Sequence, residues 1–338
     1  MLRTFQQVYA YAREDVPVTI YYAFKQSESE ESEDGKQTAS TGWETMLSAI
    51  INAGFTITGT WPIRTEMEGR ALARSGTNAL ASSIVLVCRK RPTNAQVCTR
   101  RDFINALKRE LKPALVKLQA SNIAPVDLAQ SAIGPGMGVY SRFSKVLEAD
   151  GTPMSVRLAL QIINQELDLY FTEQDGELDR DSRFCVDLFS QYAFNDIKFG
   201  EADVLARAKN TSVEKLAERG VLYAQKGVVR LLTREEIPEK ADSNEQIVWL
   251  LTQQLTRAME TGGVVATAKI VADMLGSNTE QAKNLAYRLF TIAERKGWAG
   301  EAYAYNSLVI AWSDVQSKAA ELQAQCGKQT TLFDSTDK

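Results

Sequence analysis

The chain has 338 residues, with 39 basic and 42 acidic side chains, a net charge of −3, four cysteines and no histidine. Its length points to more than one domain, because single cores stop growing at about 250–300 residues. Without histidine there is no Ser-His-Asp or Cys-His catalysis, no histidine general base and no histidine-ligated metal. Cys88, Cys98, Cys185 and Cys326 are too scattered for a disulfide scaffold or a zinc knuckle and suit a reducing cytosol. No apolar run approaches the ~20 residues that span a bilayer, and Met1-Leu2-Arg3-Thr4-Phe5 does not begin a signal peptide, so no membrane contact is expected.

The first ninety residues alternate strand and helix. Val16 to Phe24 is almost continuously apolar and β-branched, the pattern of a strand buried on both faces. The acidic, serine-rich stretch from Ser27 to Gly42 reads as a mobile loop. Trp43, Met46, Leu47, Ile50 and Ile51 recur at helical spacing, and Gly54 closes that helix. A second strand runs from Phe55 to Ile63, a loop covers Glu66 to Asn78, and a third strand spans Ser83 to Cys88.

After Pro92 the pattern is mainly helical. Thr99 is an N-cap for a helix to about Gln119 that Pro113 should kink or divide. Gly134-Pro135-Gly136-Met137-Gly138 reads as a turn, and helices fit Pro153–Tyr170 and Asp181–Phe194. Two short helices, Glu201–Lys209 and Ser212–Arg219, precede a hairpin in which Val221-Leu222-Tyr223 and Val228 to Leu232 flank Lys226-Gly227. Helix, turn, helix, hairpin is the outline of a winged helix. The spacing then predicts helices over Glu245–Glu260, Val264–Leu275, Thr279–Lys296 and Ala302–Gln323, and no order after Gly327.

Two clusters of side chains bear on function. Between Arg89 and Lys117 lie nine basic residues, among them Arg89, Lys90, Arg91, Arg100 and Arg101, against only Asp102 and Glu110. That local excess suits a polyanion, although a solvated helix face has the same composition. The glycine cluster, with Arg142 close behind it, is open to two readings, a structural turn or a contact with phosphate. In the winged-helix outline the second helix is mixed in charge, and Lys209, Lys226 and Arg230 are the phosphate candidates.

Several stretches together resemble one family. They are Thr19 to Phe24, Gly42 to Thr45, Ala53 to Glu66, Leu80 to Arg91, Ala132 to Gly136, Tyr140 to Phe143, Phe199 to Asp203, Ala206 to Asn210 and Tyr287 to Trp298. These are similar to the C-terminal part of large bacterial adenine-specific DNA methyltransferases found in phage-defence clusters. The resemblance implies a bacterial cytoplasmic protein that begins on the helix before strand five of the methyltransferase sheet. It also implies DNA as a partner and adds Arg64 to the DNA-binding candidates. Such enzymes hold S-adenosylmethionine on a glycine-rich loop after their first strand. An Asp-Pro-Pro-Tyr loop after the fourth strand grips the flipped adenine. This chain contains no Pro-Pro dipeptide and no strand before residue 16. The implied cofactor would therefore not be bound by this chain alone, and a polypeptide supplying strands one to four would be needed.

The expected fold class is thus α/β followed by mainly α: the last three strands of an incomplete Rossmann-like sheet, then helical and winged-helix-like modules. The expected divisions are residues 1–92, 93–198, 199–240 and 241–326, with a tail of 327–338. In that tail Gln329, Leu332 and Phe333 resemble the peptide by which bacterial DNA-processing proteins dock on the sliding clamp. A non-catalytic DNA-binding or assembly protein remains the alternative.

Overall fold

The computed structural model describes residues 1–23, 41–63, 83–238, 247–274 and 278–329. These form two compact units, one drawn from the described residues up to Thr172 and the other from Glu173 onward. The architecture is mixed α/β, predominantly helical with small sheets. The expected divisions at 92, 198 and 240 fall inside these units. Among the described residues no helix is long and apolar enough to cross a membrane. Arg64, the loops expected over 27–40 and 66–78, Leu332 and Phe333 lie outside the described residues.

The first unit opens with α1 (Leu2–Tyr11), β1 (Val18–Ala23), α2 (Thr41–Asn52), β2 (Phe55–Ile63) and β3 (Ser83–Lys90). Helix α2 buries the predicted stripe of Trp43, Met46, Leu47, Ile50 and Ile51. It already includes Gly42, which the sequence placed in a loop. Gly54 leaves it at φ 103°, where a side chain would be strained and would meet the Tyr9 ring at 2.9 Å. The strands form one sheet in the order β1-β3-β2, with β3 antiparallel to both neighbours.

Strand β1 is not buried on both faces, contrary to its apolar sequence. It is the edge of the sheet, Thr19 is exposed and Tyr21 is 72% exposed. Cross-strand partners share a face, and Tyr21, Val85 and Trp61 stand in register on the face that leaves Tyr21 and Trp61 open.

The unit continues with β4 (Val97–Thr99), α3 (Arg100–Ala120), α4 (Pro125–Ser141), β5 (Lys145–Leu147) and α5 (Val156–Asp175), and β4 pairs with β5 in parallel. Thr99 caps α3 as expected, accepting from the Asp102 N–H at 3.2 Å. Pro113 does not divide the helix. It sits on the exposed side, where solvent can reach the carbonyl left without its N–H partner. The expected start of α5 at Pro153 is also corrected, because Pro153 bridges Leu147 in an extended conformation.

The glycine cluster is not a turn. Gly134, Gly136 and Gly138 lie inside α4, where they permit close approach. A Cβ on Gly134 would stand 2.5 Å from Thr60 Oγ1 and 2.6 Å from the Thr60 nitrogen. One on Gly136 would meet Ile163 side-chain atoms at 2.7 Å, and one on Gly138 the Ile57 carbonyl oxygen at 3.1 Å. The sequence was open to a turn or a phosphate contact; the structural cause is proximity.

The second unit holds α6 (Arg180–Tyr192), β6 (Ile197–Lys198), α7 (Phe199–Ala208), α8 (Val213–Glu218), β7 (Leu222–Gln225) and β8 (Val228–Leu231). Helix α6 stops short of Phe194 because Ala193 turns to φ 51°. Ser212 caps α8, and Lys226 and Gly227 form the two-residue turn with φ 54° and 80°. Strand β6 adds to the hairpin in the order β6-β8-β7.

A bundle follows: α9 (Val248–Asp273), α10 (Asn278–Arg295), α11 (Ala299–Ile310) and α12 (Trp312–Gln329). Helix α9 is broken at Gly263 (φ 60°, ψ −154°), which separates the two helices expected there. The helix expected over Ala302–Gln323 is in fact two. Ala311 ends α11, and the turn seats the fully buried Trp312, whose indole N–H donates to Glu280 Oε1 at 3.1 Å. Helix α12 continues to Gln329, past the expected end at Gln323 and into the stretch from Gly327 that was expected to lack order.

Candidate nucleic-acid interface

The two edges of the three-stranded sheet are treated differently. The outer edge of β2 is closed by α4. The Ile57 N–H donates to Ser141 Oγ at 2.9 Å, and the Thr60 hydroxyl donates to the Ser131 carbonyl at 3.1 Å. Only glycines on that side of α4 let the helix come this close. On the outer edge of β1 no strand pairs among the described residues. An uncovered edge is a template for another strand.

The basic segment divides into residues that build the unit and residues that face solvent. Arg91 belongs to the first group. Its guanidinium donates to the carbonyls of Ser141 and Phe143, both at 3.2 Å, satisfying the end of α4. Lys90 stands 4.9 Å from the centre of the Tyr9 ring, and Arg89 reaches the Asp15 carbonyl at 3.4 Å. Arg142, the residue offered for phosphate, is bidentate to Glu110 at 2.8 and 2.9 Å, and this bond holds the Glu110 carboxyl below its ordinary pKa.

Helix α3 carries the rest. It buries Phe103, Ala106, Leu107, Leu111, Leu115 and Gln119 in one stripe and exposes Arg101, Lys108, Arg109, Lys112 and Lys117. Arg100 pairs with Glu148 at 3.0 Å and Lys108 with Glu166 at 3.7 Å, so acids distant in sequence offset part of the linear charge excess. Arg101 and Lys117 make no ion pair among the described residues.

In the second unit, the candidate cations are mostly engaged. Lys209 pairs with Asp187 at 2.8 Å. Arg230 is bidentate to Glu236 at 2.6 and 2.7 Å, lies 3.7 Å from Asp196 and stacks on Tyr223 at 5.0 Å. The Arg230 guanidinium, helped by the Thr233 N–H, pulls the Glu236 carboxyl down to about 2. Lys226 stands at the exposed hairpin tip. Gln329 ends α12.

Sequence reasoning missed a partly buried polar network between the hairpin exit and the bundle. Arg234 donates to Glu301 at 2.6 and 2.9 Å and to Glu260 at 2.8 Å, while Gln253 donates to the Tyr305 hydroxyl at 3.0 Å. Arg257 donates to the carbonyls of Arg234 and Ile237 at 3.1 and 2.8 Å. The only available signal was the run Thr252, Gln253, Gln254, Thr256 in an otherwise apolar helix, and all four are buried.

Residues 179–332 match the model of a domain of unknown function, DUF8807. The match begins at the N-cap of α6, so the three-stranded module and the bundle lie within the matched stretch. No curated protein and no solved structure matches the chain.

The glycine cluster in α4 does not fit S-adenosylmethionine. The only dense glycine cluster is helical and is filled by Thr60 and Ile163, which leaves no cradle for a ligand. Among the described residues, no group of three cysteine, aspartate or glutamate side chains is placed to hold a metal ion.

Proposed function

We propose that this chain is the C-terminal part of an S-adenosylmethionine-dependent adenine-specific DNA methyltransferase of the phage-defence type, contributing scaffold and DNA engagement. Cofactor and catalytic motifs are supplied by another polypeptide or by a portion outside this chain. The observation that carries the reading is the sheet. In such enzymes strand five lies between strands four and seven. Here the first strand is flanked on one side by the third strand in sequence and on the other by nothing described. The opposite edge is closed by a helix packed through glycine contacts. Among the described residues the sheet is sealed by a helix on one side and has no paired strand on the other, which suits a fragment that expects a strand there.

One further feature supports DNA engagement, the basic solvent face of α3; the second unit, in the order helix, strand, helix, helix, strand, strand with sheet order β6-β8-β7, is winged-helix-like in outline and fits the scaffold role. The tail residues Gln329, Leu332 and Phe333 would add a sliding-clamp contact. Calorimetry of the purified chain with S-adenosylmethionine should give no binding, while fluorescence anisotropy should detect salt-sensitive binding to duplex DNA. Micromolar binding of the cofactor by the chain alone would overturn the assignment.

A further inference from the structure

The two regions that the sequence offered to DNA differ in what their charges already do. On α3 Arg101, Lys108 and Lys112 are exposed and stand within about 40° of one another around the helix axis, a ridge that rises about 16 Å, or about five base pairs of duplex. Six basic residues on this helix face two acids of its own and two from elsewhere, Glu148 on Arg100 at 3.0 Å and Glu166 on Lys108 at 3.7 Å. Asp102 is held at the N-cap by Thr99, and Glu110 is taken by Arg142. Lys108 and Arg109 keep 55% and 72% of their side-chain surface exposed despite their acidic neighbours. The ridge is long, accessible and incompletely neutralised, and its arginines and lysines suit phosphates rather than base edges.

The α8 and hairpin surface has the opposite character. Arg207, Lys209, Arg219 and Arg230 are each paired, with Asp203, Asp187 and Asp181 at 2.8 Å and with Glu236 at 2.6 Å. The six residues of α8 expose Glu214, Lys215 and Glu218. To lie against DNA this surface would have to set two carboxylates beside phosphates and give up ion pairs that hold its own helices.

We infer that α3 makes the duplex contact of this chain, as a sequence-independent phosphate ridge, and that α8 and its hairpin do not touch DNA. This rests on the DNA-engaging reading above. The test is a salt titration of full-length protein on a fluorescent duplex of arbitrary sequence, with variants confirmed as folded by circular dichroism. Each phosphate contact contributes about −0.9 to the slope of log K against log salt. Arg101→Gln with Lys112→Gln should flatten the slope by about two, whereas Lys215→Gln with Lys226→Gln should leave it unchanged. A flattening by the second pair, alone or alongside the first, overturns the inference, as does an unchanged slope in the first. Absence of any salt-dependent binding by the wild-type chain would instead remove the DNA-engaging reading itself, and this inference with it.

Discussion

Replacing Gly134 with alanine tests how the first unit is sealed. The new methyl carbon would sit 2.5 Å from Thr60 Oγ1 and 2.6 Å from the Thr60 backbone nitrogen, and the backbone atom cannot swing away. Relieving the overlap must move α4 off the edge of β2, at a cost of about 1–3 kcal/mol for overpacking. The same movement stretches the bonds from Ile57 to Ser141 and from Thr60 to Ser131, each worth about 1 kcal/mol. Alanine returns up to about 1 kcal/mol of helix propensity, leaving a net destabilisation of about 2–4 kcal/mol. The assay is urea denaturation of the full chain, with amide exchange of β2 and α4 assigning the loss to the first unit. Gly200→Ala is the control. Its Cβ would meet nothing within 4 Å in the first turn of α7, so it should be neutral or stabilising by up to about 1 kcal/mol. A Gly134→Ala protein as stable as wild type, with unchanged protection of β2, would refute the close-approach explanation.

Other consequences follow from the second unit. Removing the Glu301 carboxylate by Glu301→Ala leaves Arg234, whose side chain is only 12% exposed, short of a partner. Urea denaturation should show a loss of about 3 kcal/mol, partly recovered when Arg234→Met is added. Glu236 has a native pKa depressed to about 2, below the unfolded value, so the stabilisation from its pair is complete above about pH 4.3 and disappears as pH falls through about 2. Carboxyl carbon chemical shifts should place its midpoint there, and a midpoint near 4 would contradict the pairing with Arg230. Gly263 occupies a conformation open essentially to glycine alone, so Gly263→Ala should destabilise α9 by about 1–3 kcal/mol, visible as faster amide exchange around the break.

Much of this fold was legible because local chemistry dictated it. Thr99 and Ser212 are side-chain caps whose hydrogen bonds form within three residues, and Lys226-Gly227 is a turn whose backbone needs positive φ at both positions. The misreadings came from residues whose role depends on what lies opposite them. Glycines at 134, 136 and 138 look alike whether they bend a chain or admit a neighbour, and only Thr60 and Ile163 decide the matter. The apolar run of β1 predicts burial, but its position at the sheet edge leaves Tyr21 open. The candidate site suffered most, because charge counted along the chain omits distant partners. Glu148, Glu166 and Asp187 neutralise cations 22 to 58 residues away.

The most direct test of the central claim is reconstitution. The full chain is combined with a polypeptide carrying the glycine-rich cofactor loop and the Asp-Pro-Pro-Tyr motif, and transfer of labelled methyl groups to DNA adenine is measured together with amide exchange across β1. The expected result is methylation only when both polypeptides are present, with β1 amides gaining protection in the complex. A mixture in which β1 exchanges as in the free chain and no methyl group reaches DNA would contradict the account.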